Sequence, residues 1–303
     1  MMNHHKQRLA GVFAPVVTPF QGEVPDLDAL AFNLRKLRQT SLTGFLALGS
    51  NGEAKSLTEE ERLLVLEVFA QEKGDKVVMV GTGYESTKET IDKSHIATQM
   101  GFDYISVLTP HYHAKQLDGA ALLRYYERIA EAVAAPVLLY NAPQFAGGVQ
   151  IPLKTIVELA SYPNIAGIKD SSAAGPGRFL AEIDPDEDFS VLAGSIDSFY
   201  SSLHLGASGG VLSLANVVPE ACVEVYNLFL QGMYDRAREL SAGLIRLNQS
   251  VSGAWGVAGV KAAMDLIGLR GGRPREPLMP VPAEAIAQIK QALISEGFLV
   301  ASL

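Results

Sequence analysis

Long apolar runs are missing from this chain of 303 residues. No stretch of about twenty apolar residues offers a membrane span, and the opening Met-Met-Asn-His-His-Lys lacks the roughly 7–15 apolar residues of a secretory signal. The expectation is a cytoplasmic protein with no membrane partner. Cysteine is nearly absent. Cys222 alone cannot form an internal disulfide, and its neighbours Ala221 and Val223 read as helix packing, so the thiol is taken as structural and the compartment as reducing. Basic excess is also lacking: 25 Lys and Arg against 33 Asp and Glu give a net charge of -8. No basic stripe interrupts that acidity, which excludes the clustered phosphate contacts of a nucleic-acid surface. Metal-ligand patterns are scarce too. His4 and His5, adjacent at a chain end, read as a disordered tail, and His111 and His113, flanking Tyr112, read as a mobile rim because no third ligand accompanies them.

What is present suits a large buried core, with 48% hydrophobic and 19% charged residues of both signs scattered evenly. Short aliphatic runs alternate eight times with helix-like segments, the signature of βαβ units on a parallel sheet. The strand candidates are Val12–Val17, Gly44–Leu48, Val77–Val80, Tyr104–Leu108, Val137–Tyr140, Ile165–Ile168, Ser190–Ala193 and Gly209–Leu212. Between them, Leu63, Leu66, Val68 and Ala70 in one segment and Leu122, Tyr126, Ile129 and Val133 in another recur at helical spacing. Thr58 with Glu61 three residues later predicts a capping box. From Pro219 the pattern turns almost wholly helical, with breaks expected at Gly232, around Ser252-Gly253 and at Gly271-Gly272-Arg273-Pro274. An open doubly wound sheet would give the same alternation, but eight units favour closure. The fold expected is α/β: a (β/α)8 TIM barrel over 1–218 and a C-terminal helical extension over 219–303, packed on it as one structural unit.

In a parallel barrel, chemistry gathers at the carboxyl ends of the strands. Lys169 follows Ile165-Ala166-Gly167-Ile168, so its side chain projects from a buried strand end into the barrel mouth. An ammonium is costly to desolvate there, whereas a neutral amine attacks carbonyl carbon. An ion pair with Asp170 at the rim explains the same lysine without catalysis. Tyr140 ends the preceding strand, about 5 Å away across the sheet, where a phenol can relay protons; a packed ring with a wetted hydroxyl is the plainer reading. The turn Gly49-Ser50-Asn51-Gly52, followed by Glu53, joins two glycines to a hydroxyl and an amide, a seat for a carboxylate or simply a tight βα turn.

These junctions, taken in order, resemble the dihydrodipicolinate synthase/N-acetylneuraminate lyase family of class I aldolases. The likeness runs from Ala14-Pro15-Val16-Val17-Thr18-Pro19-Phe20 through the helical tail. It rests on Gly-x-x-Gly-Glu at 49–53, Tyr-Asn-x-Pro at 140–143, Ile-Lys-Asp-Ser at 168–171 and Gly-Gly-Val-x-Ser at 209–213. The resemblance implies an imine between Lys169 and the keto carbon of pyruvate, with Tyr140 as proton relay. Substrate is bound by Ser50, Asn51 and Ser171 and by the backbone of Gly194 and Leu212, and Tyr112 enters a neighbouring subunit's site. It also implies a homo-oligomer, dimer or tetramer, and no metal or organic cofactor beyond the covalent imine.

Two departures sort the branches. The synthase branch carries Thr-Thr in the second turn and an arginine five residues after the tyrosine, where this chain has Ser50-Asn51 and Phe145. Loss of a guanidinium removes a bidentate carboxylate clamp that an aromatic ring cannot replace. Ser50-Asn51-Gly52-Glu53, with Gly259-Val260-Lys261, Met264-Asp265 and Gly271-Gly272, resembles instead the 4-hydroxy-2-oxoglutarate aldolase branch, whose substrate splits into pyruvate and glyoxylate. The alternatives are a 4-hydroxy-tetrahydrodipicolinate synthase, a sugar-acid lyase or dehydratase, and, from other classes, a metal-dependent aldolase or a non-catalytic metabolite-binding barrel.

Overall fold

Runs of aliphatic residues buried along their length form eight strands, as expected of strands covered on both faces. They are β1 (Gly11–Pro15), β2 (Gly44–Ala47), β3 (Val77–Gly81), β4 (Tyr104–Leu108), β5 (Val137–Asn141), β6 (Ile165–Asp170), β7 (Ser190–Ala193) and β8 (Gly209–Val211). The structure is a computed structural model describing residues 4–300. Spatial order follows chain order and the sheet closes into a barrel, so the α/β barrel read from the alternation is the fold. Strand β6 runs two residues further than its apolar stretch. Tyr140 pairs with Lys169 and Asn141 with Asp170 in parallel register, so the ladder continues past the change in side-chain polarity. Lys169 is therefore held within a strand and does not begin a loop. The sequence reading has no counterpart for a ribbon of two residues per strand, Phe20–Gln21 against Val24–Pro25.

The described residues group into two compact units. The first joins the residues up to Gly11 with Val77–Val211. Within it β3 to β8 pair in parallel, with helices at Thr87–Gln99, Gly119–Ala132, Leu153–Ala160 and Ile196–His204. Asp118 caps the second of these, accepting from the Ala121 backbone N–H at 2.9 Å. Leu122, Tyr126, Ile129 and Val133 bury the expected face, each stabilising by roughly 1.5–3 kcal/mol on the scale of a fully buried side chain. The chain start departs from expectation. His4 and His5 open a short helix, His4–Arg8, in place of a tail. Asp188 accepts the His5 and Lys6 backbone N–H groups, and His5 Nδ1 lies 3.2 Å from Tyr104 Oη. Met1–Asn3, part of the same tail reading, lie outside the described residues.

The second unit joins Val12–Lys76 with the residues from Leu212 onward. It holds β1 beside β2 and helices at Leu27–Leu37, Glu59–Glu72, Pro219–Leu230, Tyr234–Asn248, Ala254–Leu266 and Ala283–Ser295. The Thr58–Glu61 capping box forms in both directions. The buried face of that helix is Val65, Leu66 and Phe69; of the expected residues Leu66 is buried, Val68 is half-buried, and Leu63, at 41% exposure, and Ala70 face outward. Gly232, with φ +72°, ends a helix as expected. Ser252-Gly253 does not break the chain; Gln249–Gly253 continues as a π-turn, and the kink falls at Gly256, whose φ of +55° a side chain rarely tolerates. Cys222 is fully buried, and burial pushes its thiol up to about 12, in keeping with a structural residue. Among the described residues no helix is long and apolar enough to cross a membrane.

Arg275 clasps Glu61, its two terminal nitrogens each 2.6 Å from a carboxylate oxygen. That pairing, aided by the Thr58 backbone, draws the Glu61 carboxyl from 4.5 to about 2. A carboxylate depressed in the fold contributes stability above its unfolded pKa and loses it as pH falls through the folded one. The contribution of Glu61 is thus complete above 4.5 and disappears between there and about 2. In urea unfolding, the stability gap between the parent chain and Glu61→Gln should be widest above that window and close steadily across it. A gap that stays constant would contradict the assignment.

Candidate active site

Strand alternation sends Tyr140 and Lys169, paired across β5 and β6, to the same face of the sheet. Both are buried, at 5% exposure each, and Lys169 Nζ lies 4.2 Å from the centroid of the Tyr140 ring. The ring's negative face offers a cation some of the stabilisation that burial removes. Among the described residues Lys169 takes part in no ion pair, so the rim salt bridge with Asp170 is not formed.

Asp170 and Asn141 occupy the next register step and turn to the other face, where both are buried. Asn141 Nδ2 donates to Asp170 Oδ1 at 2.6 Å, Ser172 Oγ donates to Oδ2 at 2.8 Å, and the Ile151 backbone N–H donates to Asn141 Oδ1 at 3.0 Å. Burial raises the Asp170 carboxyl despite these donors. The same residues brace the strand ends: Ser171 N donates to the Asn141 carbonyl at 2.8 Å and Gly194 N to the Asp170 carbonyl at 2.7 Å. A Cβ at Gly194 would overlap Ser171 Oγ and come within 2.7 Å of the Asp170 carbonyl, so only glycine fits there. Lys169, Tyr140, Ser171 and Gly194 are thus brought together. The Asn141–Asp170 brace was not foreseen, although both residues stand in the quoted motifs and continue two apolar strands with polar side chains.

In the second unit, the turn after β2 carries Ser50 and Asn51. Thr18 Oγ1 donates to the Gly52 carbonyl at 2.8 Å. Asn51 Nδ2 is buried without a hydrogen-bond partner. Leu48 and Glu53, which bracket the turn, both sit at left-handed φ, +51° and +50°. For non-glycine residues such backbone costs on the order of 1–3 kcal/mol each and persists only where neighbours dictate it. The neighbours of Glu53 are Lys261, fully buried and ion-paired with Oε1, and the Arg275 backbone N–H, which donates to Oε2 at 2.9 Å. Lys261 Nζ also donates to the Arg273 carbonyl at 2.9 Å and lies 4.6 Å from the Phe20 ring centroid. Burial pulls the Lys261 ammonium below its ordinary value, opposed by Glu53. Leu212, after β8, is buried, and its N–H donates to the Phe13 carbonyl at 3.0 Å.

Tyr112 stands apart on an exposed loop, itself 82% exposed. Glu85 Oε2 accepts the His111 and Tyr112 backbone N–H groups at 3.0 and 2.9 Å, and His111 Nδ1 is 3.0 Å from Glu85 Oε1, so that histidine is engaged with a carboxylate. Phe145 is 51% exposed, in a 3-10 turn at Pro143–Phe145. Among the described residues no group of three His, Cys, Asp or Glu side chains is disposed to hold a metal ion.

The family model described as the dihydrodipicolinate synthetase family matches residues 8–296, which takes in every strand and all the residues above. The chain belongs to that family. It is an enzyme of a family of lyases. A 4-hydroxy-tetrahydrodipicolinate synthase of Methanothrix thermoacetophila is 33% identical over 285 residues, covering 93% of this chain and 95% of its own. A probable mitochondrial 4-hydroxy-2-oxoglutarate aldolase of Emericella nidulans is also 33% identical, over 293 residues and 93% of each chain. The crystal structure of YagE, a prophage protein of the same family from E. coli K12 in complex with pyruvate, superposes with a TM-score of 0.88 at 28% identity, over 96% of this chain and 99% of that one. Identity alone therefore does not separate synthase from aldolase.

Proposed function

We propose that this protein is a Schiff-base aldolase that cleaves a 4-hydroxy-2-oxo acid, such as 4-hydroxy-2-oxoglutarate, to pyruvate and an aldehyde. The observation that carries the proposal is Lys169, buried in a strand, outside any ion pair among the described residues and facing the Tyr140 ring at 4.2 Å. Its amine attacks the keto carbon, and loss of water from the carbinolamine leaves a protonated imine. Tyr140 gives its phenolic proton to the departing hydroxyl, and the phenolate left behind takes the proton from the C4 hydroxyl as the C3–C4 bond breaks and its electron pair moves into the imine, giving an enamine as the aldehyde departs. Protonation at C3 and hydrolysis release pyruvate and restore the amine. The imine is the electron sink, so the chemistry requires no metal or organic cofactor.

The turn at Ser50 and Asn51 is the seat for the substrate carboxylate in this reading, supported by the unpartnered buried amide of Asn51. Ser171 and the backbone of Gly194 and Leu212 complete the binding set. The exposed Tyr112 supports a homo-oligomer, a dimer or tetramer, in which a neighbouring copy covers that side chain. Phe145 supports cleavage over condensation with an aldehyde bearing a carboxylate, since the arginine of the synthase branch is replaced there by an exposed ring. A condensing synthase remains the second reading, on the strength of its equally similar relative. A panel of 2-oxo acids, scored by pyruvate release beside condensation of pyruvate with aspartate semialdehyde, decides between them. Preferred release from 4-hydroxy-2-oxo acids is expected, and preferred consumption of the semialdehyde would reverse the choice.

A further inference from the structure

The reaction leaves Lys261 unused, although it is the most thoroughly buried charge in its unit, with no exposure. Stability is a poor reason for such a residue, because a buried ion pair replaced by apolar groups of similar volume is often no less stable. Its connections point elsewhere. Lys261 holds Glu53 Oε1, the Arg275 backbone N–H holds Oε2, and Glu53 is the residue in left-handed backbone that closes the turn Gly49–Gly52. At the other edge Leu48 is also left-handed, and the Gly52 carbonyl is held by Thr18 Oγ1. Between these fixed points lies Asn51, its Nδ2 buried and unpartnered. A turn bent unfavourably at both edges, and tied from segments more than two hundred residues away in the chain, is held in one shape for something it binds.

We infer that Lys261 and Glu53 are positioning residues: their buried ion pair fixes the Ser50–Asn51 turn in the shape that receives the carboxylate of a 2-oxo acid. The inference rests on the reading of that turn as the carboxylate seat. Neither residue touches substrate. The ion pair acts through the backbone, so its loss loosens recognition of the carboxylate and leaves the bond-breaking step at Lys169 nearly intact.

The test is the paired variant Glu53→Gln/Lys261→Met, which removes both charges and strands neither. Pyruvate is the probe, read as the concentration giving half-maximal borohydride trapping on Lys169, with KM and kcat for 2-oxo acid cleavage measured alongside. The expected result is a rise of about tenfold or more in the half-saturating pyruvate concentration and in KM, with kcat and maximal trapping changed less than about threefold. Thr18→Val, which deletes one hydrogen bond to the turn, should shift the same two quantities in the same direction by a smaller factor, and serves where the paired variant does not fold. A folded variant with unaltered half-saturation, or one that loses kcat at unchanged KM, overturns the inference. Absence of trapping on Lys169 in the parent chain would instead sink the Schiff-base reading, so the two failures are told apart.

Discussion

Lys169→Ala is expected to abolish pyruvate release and borohydride trapping together, with a fall in kcat of at least about 10⁴-fold, the scale of removing a covalent nucleophile. Both losses have one origin. Without the amine no imine forms, and a free ketone holds the electrons of the breaking carbon–carbon bond poorly. Mass spectrometry of the reduced parent chain should place one pyruvate-derived group on Lys169 and none on the buried Lys261, whose ammonium is tied to Glu53. The fold should survive the change, because among the described residues the side chain takes part in no ion pair whose partner would be stranded. Retained turnover in the variant, or a modification elsewhere in the parent chain, would remove the centre of the mechanism.

Tyr140→Phe separates the proton relay from the imine. The ring stays, and with it the contact 4.2 Å from Lys169 Nζ, so the lysine keeps its surroundings while the hydroxyl is lost. The expected kcat is lower by roughly 10²–10⁴-fold, the range for losing a positioned acid or base. Maximal trapping by pyruvate should persist, reached more slowly, because carbinolamine dehydration also needs proton transfer. Equal rates of cleavage in the two proteins would show that water alone carries the proton.

The barrel was legible because eight aliphatic runs recur with helical segments between them, and such runs leave little choice but a parallel sheet covered on both faces. Lys169 and Tyr140 could be found because each closes such a run. Lys261 could not. Gly259-Val260-Lys261 entered the reading only as part of a branch resemblance, and the pairing itself was out of sight because its partner Glu53 lies far off in sequence. Phase errors have a similar source. Leu63 and Ala70, seven residues apart, satisfy the helical period as well as Val65 and Phe69 do, and only the position of the rest of the unit decides which pair is buried. His5 was misread because the group that orders it, the Asp188 carboxylate, is nearly the length of the barrel away along the chain.

The interleaving of the two units has a consequence for how the molecule is made. Val12–Lys76 shares its unit with the residues from Leu212 onward, so it leaves the ribosome before Lys261 and Arg275, the partners of Glu53 and Glu61, and waits while Val77–Val211 is translated. At about 5–20 residues per second that delay is on the order of ten seconds, far longer than a helix or hairpin takes to form. The intervening stretch, Val77–Val211, carries nearly all of its own unit's partners and can collapse first. The ion pair of Glu53 with Lys261 and the clasp of Glu61 by Arg275 therefore close only once the final third of the chain has been made.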